Sequence, residues 1–429
     1  MREKFEFYKE SKFRNTDIGP LPEEWEVVRL GEVTIPTENI DPTKQKNAKF
    51  KYLDISNIDN IFFKVKGWNI ITGENAPSRA RKRIKHKDVV FATTRPYLKN
   101  IAIVPPELDG EICSTGFCVL RANTEKTIPE WIFYNVITDR FITRISARMV
   151  GATYPAVSDK DVFDMKIPLP PLPEQRRIAR VLSTVDEALS LTDEAIARTE
   201  RVKRGLMQRL LTRGLGHEKF KKTEIGEIPE EWEVVRLGEI SKIESGGTPN
   251  RKEASYWIGG TIPWIKSGEL NDSIILSSEE FITKSGLENS SAKIFPKNTL
   301  LIALYGATVG KTGLLGISAA TNQAIAALLP KQENRFDPRF LQYMIIYLRG
   351  KLISTSSGGA QSNIYLYVLK SFKLPLPPLP EQRRIAEILG AVDEKLELLR
   401  ARREKLERVK KGLMQDLLTG RKRVPEGVV

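Results

Sequence analysis

The chain has 429 residues, 41% of them hydrophobic and 28% charged, which is enough for two or three domains with cores of their own and no need of covalent staples. Its formal charge of +14, from 68 Lys and Arg against 54 Asp and Glu, attracts polyanions, nucleic acid first among them, although a lysine-rich solvated surface gives the same balance. Only two cysteines and two histidines argue against a structural metal, and a charged N-terminus without long apolar runs argues against a signal peptide or membrane span, so a cytoplasmic protein is expected.

From the N-terminus, "ESKFRNTDIG" leads into "TDIGPLPEEWEVVRLGEV" at Thr16. The insert that follows carries strand-like runs ("YLDIS", "VVFATT", "NIAIV", "FCVLRA") and a helical pattern in "PEWIFYNVITDRFIT", the mixture of an α/β or α+β domain rich in turns. "EICSTGFCVLRA" reads as one strand with Cys113 and Cys118 as buried, reduced thiols. At Pro168 begins "PLPPLPEQRRIA", where each proline fixes its own φ and pushes its predecessor out of the α region. Pro173 then suits a first helical turn, with Glu174 near its positive end. A seam with alternating steps of four and three runs on through Ile178, Leu182, Val185, Leu189, Thr192, Ile196, Thr199, Lys203, Leu206 and Leu210, and Gly214 supplies the stop. A helix of about 38 residues reaches about 57 Å, too long for one wall of a compact domain.

The framework then repeats. "HEKFKKTEIG" parallels the N-terminal segment, with Phe220 matching Phe13. "TEIGEIPEEWEVVRLGEI" begins at Thr223, placing Trp232 at an offset of 207 (232 − 25) from Trp25. "PLPPLPEQRRIA" returns at Pro375, and "GLMQRLL" at Gly205 returns as "GLMQDLL" at Gly412, all at that offset. The second insert differs almost completely, with "TIPWIKSG", "TLLIALYG" and "AIAALLP" as strands and "DPRFLQYMIIYLRGKL" as helix. After Pro380 and Glu381 the second seam takes Ile385, Leu389, Val392, Leu396, Leu399, Arg403, Leu406, Lys410, Leu413 and Leu417, ending at Gly420. The chain is two copies of one unit whose framework is held and whose interior varies.

Connectivity sets the expected geometry. If the seams bury against each other, compactness requires antiparallel helices with one insert at each end, and the N-terminal segment continues the unit that the C-terminus breaks off, in a circular, pseudo-twofold arrangement. The expected segments are 1–16, completing the framework; 17–167, the first insert; 168–214, the first long helix; 215–374, the second insert with its linker; 375–420, the second long helix; and 421–429, a tail. The competing reading is two amphipathic helices buried in separate domains.

"LYGATVGKTG" at 304–313 poses the question of an NTPase. A phosphate-cradling loop needs Gly, four residues, then Gly-Lys-Ser/Thr, whereas Gly306 is followed by three residues before Gly310, Lys311 and Thr312. Polar and basic residues in such turns suit a duplex instead, Arg and Lys fitting guanine edges and phosphates, Asn and Gln fitting adenine. The candidates are Arg95, Lys99 and Asn100 in "TTRPYLKN", and Arg148, Thr153 and Tyr154 in "ARMVGATYPAVS". In the second insert they are Lys266 and Ser267 in "TIPWIKSG", Lys311 and Thr312, Asn322 and Gln323 in "AATNQAIA", and Gln361, Ser362 and Asn363 in "GGAQSNIYLY". No amino-methyltransferase motif, glycine-rich cofactor loop or supply of histidines for a triad is visible, and "VPPELDG" reads as a turn, so catalysis is not expected.

The duplicated unit, "PLPPLPEQRRIA" leading into a long helix, "IPEEWEVVRLGEI" and the "GATVGKTG…TNQA" loops resemble the specificity subunit of type I restriction-modification systems, over essentially the whole chain. The resemblance implies tandem α/β (α+β) target recognition domains separated by two long antiparallel coiled-coil helices. It implies double-stranded DNA as ligand, two modification subunits and restriction subunits as partners, no cofactor on this chain, and S-adenosylmethionine and ATP on those partners. The first insert departs from the pattern, having "TTRPYLKN" where the second has its glycine turn. A free-standing two-headed DNA-binding protein and a P-loop NTPase are the alternatives.

Overall fold

The computed structural model describes residues 7–151, 155–331, 335–356 and 363–426. The chain forms two compact units, Met1–Asp193 with Arg402–Val429, and Glu194–Ala401. The long helices span Leu172–Arg213 and Leu379–Leu417, so each unit owns part of both.

In the first unit, strands Ile101–Ile103, Val89–Ala92, Phe117–Ala122 and Thr34–Ile35 form, in that order, an antiparallel sheet. A second sheet orders Ala80–Arg83, Ile112–Ser114, Lys49–Leu53 and Asn69–Thr72, its central pair parallel. The first sheet is a middle layer, as the side-chain alternation shows. Val89, Phe91, Cys118 and Leu120 share a core with Trp131, Ile132 and Val136 of the helix Pro129–Val136. Val90, Ala92, Phe117 and Val119 share another with Leu53, Ile84 and Cys113. Burial on both faces makes these strands read as continuous apolar runs.

Two local readings are corrected. "EICSTGFCVLRA" is two strands, Ile112–Ser114 and Phe117–Ala122, in different sheets. The chain crosses at Gly116, where a Cβ would stand 2.7 Å from Ile55 Cδ1. Both thiols are free and fully buried, and burial pushes Cys113 up to about 12 and Cys118 higher still. "PEWIFYNVITDRFIT" is likewise two helices, Pro129–Val136 and Asp139–Ser146, because the Thr138 hydroxyl accepts from Phe141 N–H at 3.2 Å and caps a new start.

The second unit repeats the plan with different residues. Ser241–Ser245, Ile325–Pro330, Leu300–Ala303 and Thr312–Leu315 form the antiparallel sheet, extended by the parallel strand Ser273–Ile275. Glu280–Ile282, Ile262–Ile265, Ala319–Thr321 and Ile294–Phe295 form the other, again with a parallel central pair. Leu300, Ile302 and Leu328 join Phe340, Leu341 and Met344 of the helix Pro338–Ser356, while Leu301, Ala303 and Ala327 join Ile265 and Phe295.

The framework closes each domain in the same register. Glu26–Arg29 pairs with Lys166–Leu169 and Glu233–Arg236 with Lys373–Leu376, each antiparallel. Within the first unit, Asp186 pairs with Lys410 at 2.6 Å and Asp193 with Arg403 at 2.6 Å, so the two helices run antiparallel there. Within the second, Asp393 pairs with Lys203 at 2.5 Å and Glu200 with Arg400 at 2.8 Å, antiparallel again. Every seam position from Ile178 to Leu210 and from Ile385 to Leu417 is buried or half-buried, and the charged ones, Lys203, Arg403 and Lys410, carry ion pairs to Asp393, Asp193 and Asp186. Gly214 and Gly420 follow the helices at φ of 63° and 68°, the left-handed stop.

Chain closure differs between the units. In the first, Tyr8–Lys9 pairs with Lys422–Arg423, joining the two ends of the chain. Trp25 Nε1 donates to Glu174 Oε2 at 3.1 Å, and Arg423 grips both oxygens of that buried carboxylate as well as Glu10 Oε2, at 2.6 Å. In the second, Trp232 Nε1 donates to Glu381 Oε2 at 3.0 Å, and the partners are Leu215 N–H at 2.9 Å and His217 Nε2 at 2.9 Å, on continuous chain.

Candidate nucleic-acid interface

Four loops of the second unit meet at one end of its sheets. Asn322 N–H donates to Ile265 O at 3.0 Å, Leu304 N–H to Ala324 O at 2.8 Å, and Ile364 N–H to Leu304 O at 2.6 Å. Thr308 Oγ1 donates to Ser267 O at 2.9 Å. These bonds bring together Lys266, Ser267, Lys311, Asn322, Gln323 and Asn363, which lie far apart in sequence. Gln323 is exposed and accepts from Thr248, and Asn322 is half-buried. Tyr365 and Tyr367, both exposed, stack beside them with centroids 5.8 Å apart.

The "GATVGKT" turn carries no phosphate cradle. Gly306 and Gly310 take φ of 86° and 74°, and a strand beginning at Thr312 follows, so there is no helix N-terminus at which amides could converge. The turn is braced from below. Asp272 accepts from Thr312 N–H at 3.0 Å and Thr312 Oγ1 at 3.1 Å, and pairs with Arg349 and, at 3.4 Å, with Lys311. Arg349 Nε also donates to Gly310 O at 2.9 Å. Burial works to raise the Asp272 carboxyl, but the Thr312 amide, the Arg349 charge, the Thr312 hydroxyl and the Lys311 charge outweigh it and leave it below its ordinary value of 3.8.

Two of the expected contacts have partners within the domain. Thr312 is fully buried and spends its hydroxyl on Asp272, so it shapes the turn from within. Lys266 is flanked by Glu280 and Glu279, each at 2.9 Å, whose hydrogen bonds push it up to about 12; its charge is neutralised within the domain. Lys311 remains partly exposed at the turn, since Asp272 is shared with stronger partners.

In the first unit, Arg95 and Lys99 bracket a tight turn between strands Val89–Ala92 and Ile101–Ile103, both with positive φ, 49° and 54°. Ala92 N–H donates to Asn100 O at 3.1 Å and Arg95 N–H to Pro155 O at 2.8 Å, so the turn lies against the segment after Arg148. Arg148 Nη1 reaches Asp161 O at 3.4 Å, and Lys99 pairs with Asp139 at 2.5 Å. Such exposed pairs contribute little and exchange readily for phosphates. Thr153, Tyr154, Gln361 and Ser362 lie outside the described residues.

Sequence reasoning missed several participants. Asp272 and Arg349 come from outside the turn they brace. Arg251 lies over the rings of Trp257 and Trp264 at 3.8 Å and 4.6 Å and pairs with Glu280. Asn60 Nδ2 donates to Leu98 O at 2.9 Å, setting exposed Ile61 and Phe62 beside exposed Tyr97. Of these, Phe62 and Tyr97 are visible in the sequence as large apolar side chains beside polar turns.

The chain's sequence matches the type I restriction modification DNA specificity domain twice, at residues 22–201 and 229–408. The MjaVIII specificity subunit of a Methanocaldococcus jannaschii type I restriction enzyme is 28% identical over 98% of both chains. The Escherichia coli EcoR124I/EcoR124II specificity subunit is 28% identical over 64% of this chain and 66% of its own. Among solved structures, one from a study of assembly and conformational transition in a type I restriction-modification system is 34% identical, with TM-score 0.58 over 94% of this chain and 99% of that one. The M. genitalium type I S subunit shares the fold, with TM-score 0.59 at 15% identity over 92% and 96% of the two chains. With both copies of the repeat matched by the family's own domain and relatives aligned from end to end, the chain belongs to the type I restriction-modification DNA specificity family.

Proposed function

We propose that the chain reads a split, asymmetric DNA site, one half by each unit, on behalf of a complex that modifies and cleaves DNA. One observation carries this reading: a single topology, built twice, presents unlike turns at the same place, the Arg95–Lys99 turn in one unit and the Gly306–Lys311 turn in the other. Unlike loops on like scaffolds read unlike bases. The subunit supplies recognition and no catalysis; S-adenosylmethionine and ATP act on its partners, in the cytoplasm. Exchanging residues 221–372 for those of a relative with another specificity is expected to change only one half of the methylated motif, read by methylome sequencing. A change in both halves, or in neither, sinks the proposal.

The partners are two modification subunits. Four large apolar side chains on the otherwise charged helices stay exposed: Leu191 (59%), Val202 (50%), Leu398 (72%) and Val409 (43%). They form two sets at the repeat offset, Leu191 with Leu398 and Val202 with Val409, so each unit offers one leucine and one valine. Leu191→Glu with Val409→Glu is expected to release one modification subunit, and Val202→Glu with Leu398→Glu the other, as counted by native mass spectrometry. A chain that binds its site tightly and specifically with no partner at all would favour a free-standing DNA-binding protein.

A further inference from the structure

One side-chain set outside the loops occurs in both units. Tyr134 Oη donates to Asp186 Oδ2 at 2.9 Å, and Lys410 Nζ pairs with Asp186 Oδ1 at 2.6 Å. Tyr343 Oη donates to Asp393 Oδ2 at 2.7 Å, and Lys203 Nζ pairs with Asp393 Oδ1 at 2.5 Å. The aspartates and lysines belong to the repeated framework, but the tyrosines lie in the inserts, which share almost no other sequence. Each set ties three segments: a helix of the insert, the first half of the long helix that follows it, and the last half of the other long helix.

We propose that these two Tyr–Asp–Lys sets are angle-setting joints: each holds its DNA-reading insert at one inclination to the helix pair, and together they fix the spacer length accepted between half-sites. An apolar contact can slide, whereas a phenol directed at one carboxylate oxygen, with an ammonium on the other, has one geometry. Both tyrosines are buried, 3% and 4% exposed, and burial followed by the aspartate charge in the first set, and by the aspartate hydrogen bond in the second, pushes their ionisation up, so they remain donors at any working pH. In the first unit the joint borders a cavity of about 890 Å³ lined by Phe63, Phe133, Leu189 and Met414. On the other side Trp131, Ile132 and Val136 share a core with Ile178 and Leu182, so it is along the cavity side that the directed bonds hold the insert against tilting about that core. Lys410 lies 5.8 Å from the Phe63 ring and Lys203 5.7 Å from the Tyr343 ring, so the cation in each set also touches its insert. One base pair of spacer turns a half-site by about 35° and moves it by about 3.4 Å, so a joint that yields a few degrees relaxes the match.

The inference rests on the split-site reading, and the test separates the two. Full-length Tyr134→Phe and Tyr343→Phe chains, bound to modification subunits, are titrated with duplexes carrying the methylome-defined site with its native spacer or one base pair more or less. The native spacer is expected to lose less than about threefold in affinity, while preference over the altered spacers falls about tenfold, the scale of one hydrogen bond to a charged group. Discrimination against base substitutions in each half-site stays unchanged. Equal losses on all spacers, or an unaltered preference, would overturn the joints while leaving split recognition standing. A wild-type chain indifferent to spacer length would overturn both.

Discussion

Replacing Arg423 by methionine is expected to loosen the first unit by about 3–5 kcal/mol and leave the second unchanged. The guanidinium is 8% exposed and is held by three carboxylates, Glu10, Glu24 and Glu174, over the face of Trp25. Glu174, 3% exposed, would keep only the Trp25 indole N–H, and an unpaired carboxylate at that depth is what makes breaking a buried pair costly. The loss should appear as faster amide exchange in Glu26–Arg29 and Lys166–Leu169, with the equivalent strands Glu233–Arg236 and Lys373–Leu376 unaffected. For a unit of this size it corresponds to a fall of about 10 °C in melting temperature. Glu174→Gln in the same chain should recover part of the loss, because it removes the stranded charge. Equal destabilisation of both strand pairs would mean that the tail does not close the first unit specifically.

That asymmetry shows what was legible in the sequence and what was not. The circular closure followed from "ESKFRNTDIG" matching "HEKFKKTEIG", since a repeat that keeps its Lys, Phe, Thr, Ile and Gly in step needs no geometry to be seen. The seams followed from period alone, and every position assigned to them is at least half-buried. The latch did not follow, because its arginine is 413 positions from Glu10 and replaces a histidine that serves the other unit from continuous chain. The same limit applies to the loops. Thr312 and Lys266 are polar residues beside turns, which is all that residue type reveals; their partners, Asp272 and Glu279 with Glu280, come from other strands and loops, bury the first and pair the second at the surface. The inserts' strands were readable because burial on two faces leaves unbroken apolar runs, whereas the crossing at Gly116 is marked only by the short polar run Ser114-Thr115-Gly116, small residues that a single strand also accommodates.

Asp272→Ala is expected to abolish most sequence discrimination in the second half-site while sparing the first. The carboxylate fastens the C-terminal side of the Gly306–Lys311 turn, accepting from Thr312 and pairing with Arg349, which itself grips Gly310 O. Its removal strands a guanidinium 23% exposed and a buried hydroxyl, a loss of about 2–4 kcal/mol that falls on the turn. A turn that is ordered only part of the time binds more weakly in proportion to its ordered fraction, so affinity for the cognate duplex should drop at least about tenfold. Because the turn's exposed residues no longer keep one arrangement, substituted second half-sites should lose less than the cognate one. The pH dependence gives an independent check. The folded carboxyl lies below its ordinary value of 3.8, so its contribution to stability is fully present above that value and is lost as pH falls through the lower folded one. The stability gap between wild type and Asp272→Ala should therefore be constant above about pH 5 and close only in the acid limb below 3.8. A gap that closed on raising the pH, or a variant that kept full discrimination in the second half-site, would show that the turn is held by something other than this carboxylate.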